Sequence, residues 1–157
     1  MADMTAQLQQ QIQDARNERR QLQIVSGNSK AFLGREPSGA KLSVAAHHGI
    51  VKYQPLELVI TVRPGTLLTE IDAVLAEQDQ MLSFEPPLYT EQSTIGGTLA
   101  CNLSGPARPW GGSVRDHVLG VRMFNGKGED LHFGGQVMKN VAGYDASRLQ
   151  AGAMGTL

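Results

Sequence analysis

Cysteine is nearly missing: Cys101 is the single one in the chain. That excludes an intrachain disulfide framework and a multi-cysteine zinc or iron–sulfur site, and it fits a reducing, cytoplasmic compartment. Aromatic residues make up only 5%, too few for a base-stacking platform on single-stranded nucleic acid. An excess of one charge is missing too. The net charge is −1, which leaves no long-range basic field to hold nucleic acid or an anionic membrane. No run approaches the ~18 apolar residues of a spanning helix, and the polar opening MADMTAQLQQQIQDARNERR lacks the apolar stretch of a secretory signal. What remains, 41% hydrophobic and 18% charged, describes a globular domain able to bury a core.

Glycine is what the chain has in abundance, and it is unevenly placed. Of 18 glycines, 13 fall between Ser93 and Leu157. Glycine loses the most backbone entropy on ordering, so clusters between apolar segments mark special dihedrals or close backbone approach. A large, flat, phosphate-bearing cofactor requires such approach.

The pattern of apolar residues predicts mixed α and β structure. Leu8, Ile12, Ala15 and Leu22 give a first amphipathic helix, at near-helical spacing. Strands are expected over residues 21–25, 42–45, 57–62 and 82–84, the last stopped by Pro86-Pro87, with a turn at Arg63-Pro64-Gly65. Leu67, Leu68, Ile71, Val74 and Leu75 form the stripe of a second long helix, with Thr66 as its N-cap and Glu70 near its positive end. Residues 121–124 and 129–133 flank Asn125-Gly126-Lys127-Gly128, a strong hairpin signal. Asp145 and Ser147 read as helix-start residues, with Leu149 facing the core. The chain stops in the apolar run Ala153-Met154-Gly155-Thr156-Leu157, which reads as a cut inside an element.

Four clusters are candidate binding turns. Ser26, Gly27, Asn28, Ser29 and Lys30 could point backbone amides, a hydroxyl and a cation at one anion, or form an ordinary strand-to-loop turn. Thr94, Gly96 and Gly97 with Ser104 and Gly105 either press backbone against a flat ligand or make a tight helix start against a sheet. Arg115, Asp116 and Gly120 either shape a binding loop or hold a solvated ion pair of little weight. Gly143, Tyr144 and Asp145 close the run KNVAGYD. A P-loop is rejected because Gly128 stands where Ser or Thr is needed, and no GxGxxG opens a helix. His47 and His48 are adjacent and, in a strand, point to opposite faces. His117 and His132 lack ligand partners, so no metal site is expected. Cys101 reads as a small buried residue. Ser104-Gly105 lacks a nucleophile elbow, so hydrolase chemistry has no support.

In order and spacing, SGNSKAFLG, ELVITVRPGTLLTEIDAVLAEQDQMLSFEPP, TIGG, SGPARPWGGSVRDHVLG, NGKGEDLHFGG, VMKNVAGYD and GAMGTL resemble the FAD-binding domain of the vanillyl-alcohol-oxidase-type (PCMH-type) flavoproteins. Within it the chain is most similar to a flavoprotein subunit of bacterial glycolate oxidases. The resemblance implies an α+β, two-subdomain PCMH-type FAD-binding fold over residues 1–157, incomplete at its C-terminus. It implies FAD held by Ser26, Gly27, Asn28, Ser29 and Lys30 at the pyrophosphate, and by Thr94, Gly96, Gly97, Ser104 and Gly105 along pyrophosphate and flavin. Arg115, Asp116 and Gly120 would form a wall, and Gly143, Tyr144 and Asp145 a support from the later subdomain. Family members with covalent flavin often carry a histidine in the first loop. Asn28 and Ser29 stand there, so non-covalent FAD is expected. The implied activity is FAD-dependent oxidation of a CH–OH donor, glycolate or a related 2-hydroxy acid, with no catalytic residue in this stretch. The implied partners are a second flavoprotein subunit and an iron–sulfur subunit, in the cytoplasm or against the inner membrane through the complex. The alternatives are a non-catalytic assembly subunit of the same fold and a nucleotide-phosphate module without redox activity.

Overall fold

A computed structural model describes residues 3–136 and 143–157. Helix α1 (Thr5–Asn17) buries Leu8 and Ala15. It ends before Leu22, which opens the first strand instead of extending the helical stripe. Strands β1 (Leu22–Val25) and β2 (Ala40–Ser43) pair in parallel, with Leu22 opposite Ala40 and Val25 opposite Ser43. That register sets β2 two residues earlier than the apolar run alone implies. A parallel pair needs a crossover of about a dozen residues. Here the crossover is the loop that begins with Ser26, so the pairing itself projects the first candidate loop from the sheet.

Strands β3 (Ile50–Gln54) and β4 (Val59–Val62) form an antiparallel hairpin. The sequence pattern missed β3, because Val51 and Lys52 lie on one irregular, solvated stretch and only pairing with β4 extends it. A 3₁₀ turn, Pro55–Glu57, replaces the expected start of β4. Helix α2 (Leu68–Ala76) buries Leu68, Ile71 and Leu75 as the stripe predicts. Its N-cap is Leu67, not Thr66. The Thr66 hydroxyl is fully buried and committed elsewhere: it accepts from Gly49 N at 2.9 Å and donates to the Arg63 carbonyl at 2.7 Å.

Residues 82–84 form a turn, closed by Glu85 N donating to Leu82 O, so the expected strand does not exist. Phe84 is buried there, and its carbonyl accepts from Gly105 N. Helix α3 (Ile95–Cys101) and the short α4 (Arg108–Gly111) follow, then a 3₁₀ turn over Val114–His117. Strands β5 (Gly120–Phe124) and β6 (Asp130–Gly134) make the predicted hairpin. Asn125 Oδ1 accepts from Lys127 N and Glu129 N, and Gly128 supplies a positive φ of 74°. This is the side-chain and backbone chemistry that Asn and Gly bring to turns. Helix α5 (Ala146–Leu149) is capped by Asp145, as the sequence predicts, but it buries Ser147 and leaves Leu149 exposed. Cys101 is only half-buried. Mixed α and β structure, in three two-stranded sheets among the described residues, thus agrees with the expected α+β class.

Candidate functional site

Three segments converge around the first candidate loop. The stretch after β4 is zipped to the stretch before α3 by backbone hydrogen bonds: Leu68 N to Ser93 O, Ile95 N to Thr66 O and Gly96 N to Pro64 O, all 2.9–3.0 Å. The loop after β1 then packs on that seam. A Cβ on Gly27 would collide with the Gln92 carbonyl oxygen, and one on Gly96 would lie 2.6 Å from Pro64 Cβ. Gly65 is equally confined, 2.6 Å from the carbonyls of Val44 and Ala45. These glycines therefore permit close approach of backbone to backbone, and Gly27 and Gly65 also line a cleft.

Gly97 is different. A Cβ there would meet only side chains, Thr94 Oγ1 at 3.3 Å and Lys30 Nζ at 3.8 Å. Gly97 N donates to Thr94 Oγ1, the N-cap of α3. Lys30 Nζ contacts Ser29 Oγ at 3.3 Å, and Ser29 Oγ meets Ser93 Oγ at 3.1 Å. Lys30 is 8% exposed, and no carboxylate among the described residues lies within ion-pair distance of it. Burial pulls its ammonium below the ordinary lysine value, an effect that the Cys101 thiol partly offsets. Burial also pushes the Cys101 thiol up, with Lys30 opposing. Ser26 Oγ, in the same loop, is buried without a hydrogen-bond partner. A buried cation and an unsatisfied hydroxyl both carry a desolvation penalty that an anion with several acceptor oxygens would relieve. The residues present therefore fit a phosphate-bearing cofactor.

A cleft of about 240 Å³ adjoins this point, lined among others by Gly27, Gln92, Thr94, Gly65, His48 and Glu70. The sequence reading assigned no binding role to His48, Glu70, Gln92 or Ser93. Their signal was positional, because each lies within a few residues of a glycine or proline turn, but only the packing of three distant segments brings them together.

The remaining candidates form a second group, joined to the first by α3. Ser104 Oγ accepts from Val114 N at 2.9 Å. Asp116 does not pair with Arg115; its carboxylate accepts from Ser113 N and Ser113 Oγ in a capping box. Those two bonds hold it below the usual aspartate range. Arg115 is exposed. His117 lies between Ser83 Oγ at 2.7 Å and the Ser113 carbonyl at 2.9 Å. Gly105 packs on Glu85, and Gly120 pairs with Gly134 in the last hairpin. Arg148 on α5 reaches the carbonyls of Asp116 and Val118 at 3.4 Å, a tie that the sequence reading missed. Gly143 and Tyr144 are exposed, and the preceding part of the KNVAGYD run lies outside the described residues. Among the described residues no three His, Cys, Asp or Glu side chains gather as a metal-ligating group, and no helix is long and apolar enough to cross a membrane.

A buried cation, an unpartnered hydroxyl and an adjoining cleft on a mixed α and β scaffold fit a domain that holds a phosphate-bearing cofactor. The chain belongs to the FAD-binding-domain family, whose sequence pattern matches residues 1–134. It is 54% identical to the glycolate oxidase subunit GlcE of Escherichia coli (strain K12), over 99% of this chain and 44% of that protein. It is 35% identical to the glycolate oxidase subunit GlcD of Bacillus subtilis (strain 168), over 69% of this chain and 23% of that one. The chain thus spans less than half the length of these curated relatives. Its fold matches that of an alkyldihydroxyacetonephosphate synthase with a TM-score of 0.74, over 97% of this chain and 28% of that one, at 21% identity.

Proposed function

We propose that this chain is the FAD-binding part of a flavoprotein subunit serving 2-hydroxy-acid oxidation, with glycolate as the favoured substrate. The observation that carries the reading is Lys30, a buried ammonium without a carboxylate partner among the described residues, set against Ser29 and Gly97. Lys30, Ser26 and Ser29 would hold the cofactor's pyrophosphate, and Gly97 leaves room for it. The FAD is non-covalent, a reading supported by the absence of histidine, cysteine and tyrosine from residues 26–30. When bound, the flavin supplies two-electron chemistry; the protein supplies position and electrostatics. The likeness to proteins named as glycolate oxidase subunits supports a place in a multi-subunit assembly. There a second flavoprotein subunit and an iron–sulfur subunit would take part in electron transfer, in the cytoplasm or at the membrane face through the complex.

Titration with FAD, followed by flavin fluorescence, tests the reading. The wild-type protein binds saturably, and Lys30→Met weakens binding about 10- to 100-fold, the range for a lost charge-assisted hydrogen bond. The same substitution leaves the cofactor-free protein as stable or more stable, because it removes an uncompensated buried charge. Unchanged FAD affinity in Lys30→Met would sink the assignment.

A further inference from the structure

The cleft beside Lys30 has a chemistry of its own. Its walls include His48 and Glu70, while the neighbouring end of the seam carries the buried Lys30. The two ends are therefore opposite in character: one calls for an anion, the other places a carboxylate where an anion would be repelled. Glu70 lies in the first turn of α2 and makes no ion pair among the described residues. An ionised carboxylate only accepts hydrogen bonds, so a ligand group seated against it must donate them.

The wall that carries these groups is rigid. Gly65 N donates to the His47 carbonyl at 3.0 Å, and Thr66 Oγ1 accepts from Gly49 N. These bonds lock the segment bearing His48 to the turn that starts α2. Thr94 and Gly27 line the same cleft and also adjoin Lys30 and Ser29 in space or sequence. Thr94 and Gly27 thus place the cleft next to the loop that carries Lys30, within the span of one dinucleotide.

We infer that Glu70 reads the vicinal ribose hydroxyls of the cofactor's adenosine half, with His48 lining the same pocket, so that this cleft sets the direction in which the dinucleotide lies. The inference rests on the FAD reading above and names the part of FAD that each end takes. A carboxylate that accepts from a ribose 2′-hydroxyl is a recurring means of nucleotide recognition, and it rejects a ligand that carries a phosphate there. Leu67 and Ala45 add apolar lining on which a neutral base can rest.

The test uses the full-length protein and three probes: FAD, ADP and 2′-deoxy-ADP, titrated by calorimetry. The wild type is expected to bind ADP at least tenfold more tightly than 2′-deoxy-ADP. Glu70→Ala should weaken ADP about tenfold and close the gap between the two nucleotides to less than twofold. Glu70→Gln, which keeps an acceptor but not the charge, should fall between. Lys30→Met should weaken both nucleotides alike and leave their ratio unchanged. Because Glu70 is exposed on α2, both of its variants are expected to fold, and thermal unfolding checks this. A ratio that is near one in the wild type, or that survives in Glu70→Ala, overturns the inference while FAD binding still supports the domain assignment. Failure of the folded wild type to bind FAD or ADP overturns both.

Discussion

Glycine at one position is not interchangeable with glycine at another, even two residues from a shared site. Gly27 and Gly96 are closed in by main-chain or proline atoms that cannot swing away. Gly97 faces the hydroxyl of Thr94 and the flexible end of Lys30. Gly27→Ala should therefore destabilise the protein well beyond the ~1 kcal/mol of an average substitution, seen as a lowered denaturation midpoint. Gly97→Ala should keep its stability within about 1 kcal/mol, since alanine is favoured over glycine inside a helix, yet weaken FAD binding at least tenfold by placing a methyl beside Lys30. Equal loss of stability in the two variants would refute this division of roles. The sequence displayed both glycines in equally suggestive clusters. Which of them is closed in by main chain and which faces side-chain ends depends on atoms more than 60 positions away in the chain, such as Gln92 against Gly27 and Lys30 against Gly97.

Elements show the same dependence on distant partners at the start of α1. Met4 is its N-cap residue and offers no side-chain cap. Asp3 instead accepts from Thr5 N at 3.0 Å and Thr5 Oγ1 at 2.6 Å, and Arg63 reaches back to Asp3 at 2.9 Å. Those contacts, Thr5 first, hold the Asp3 carboxyl far below the usual range. Met4 N donates to His47 Nδ1 at 3.0 Å, which requires a neutral ring nitrogen there. Burial, and then the Arg63 charge, push His47 below the ordinary histidine value of 6.5, while Asp3 opposes. A histidine depressed in the folded state contributes stability above its unfolded value, and that contribution is lost as pH falls through the lower folded value. Between pH ~7.5 and ~5 the wild type should therefore lose more thermal stability than His47→Gln, which cannot take up a proton. Parallel pH profiles for the two proteins would show that His47 does not hold α1. The amphipathic spacing of Leu8 and Ala15 made α1 legible from sequence. Its cap was not, because Met4 N is satisfied by the distant His47, and Asp3, which accepts from Thr5 N, is itself held by Arg63.

At the scale of the whole molecule, a ligand that bridges the segments around Lys30 must stabilise all of them together. Saturation with FAD at 100 times its dissociation constant adds about 2.7 kcal/mol. For a chain of 157 residues, this corresponds to a rise in Tm of about 5–10 °C, measurable by calorimetry with and without cofactor. Binding without any rise would mean that the cofactor touches only a locally ordered surface. The ordered glycine clusters, the stripe of α2, the hairpin at Asn125 and the α+β class are properties of local sequence, since propensity, periodicity and turn chemistry act over a few residues. The single cysteine by itself rules out an intrachain disulfide. Only tertiary structure decided the rest. It moved β2 by two residues to meet β1, created β3 by pairing it with β4, and turned residues 82–84 away from a sheet. It also buried Lys30 without a carboxylate partner among the described residues, and it brought Glu70 and His48 to the cleft beside it. Burial and proximity arise from contacts between segments far apart in the chain, and no local pattern of residues encodes them.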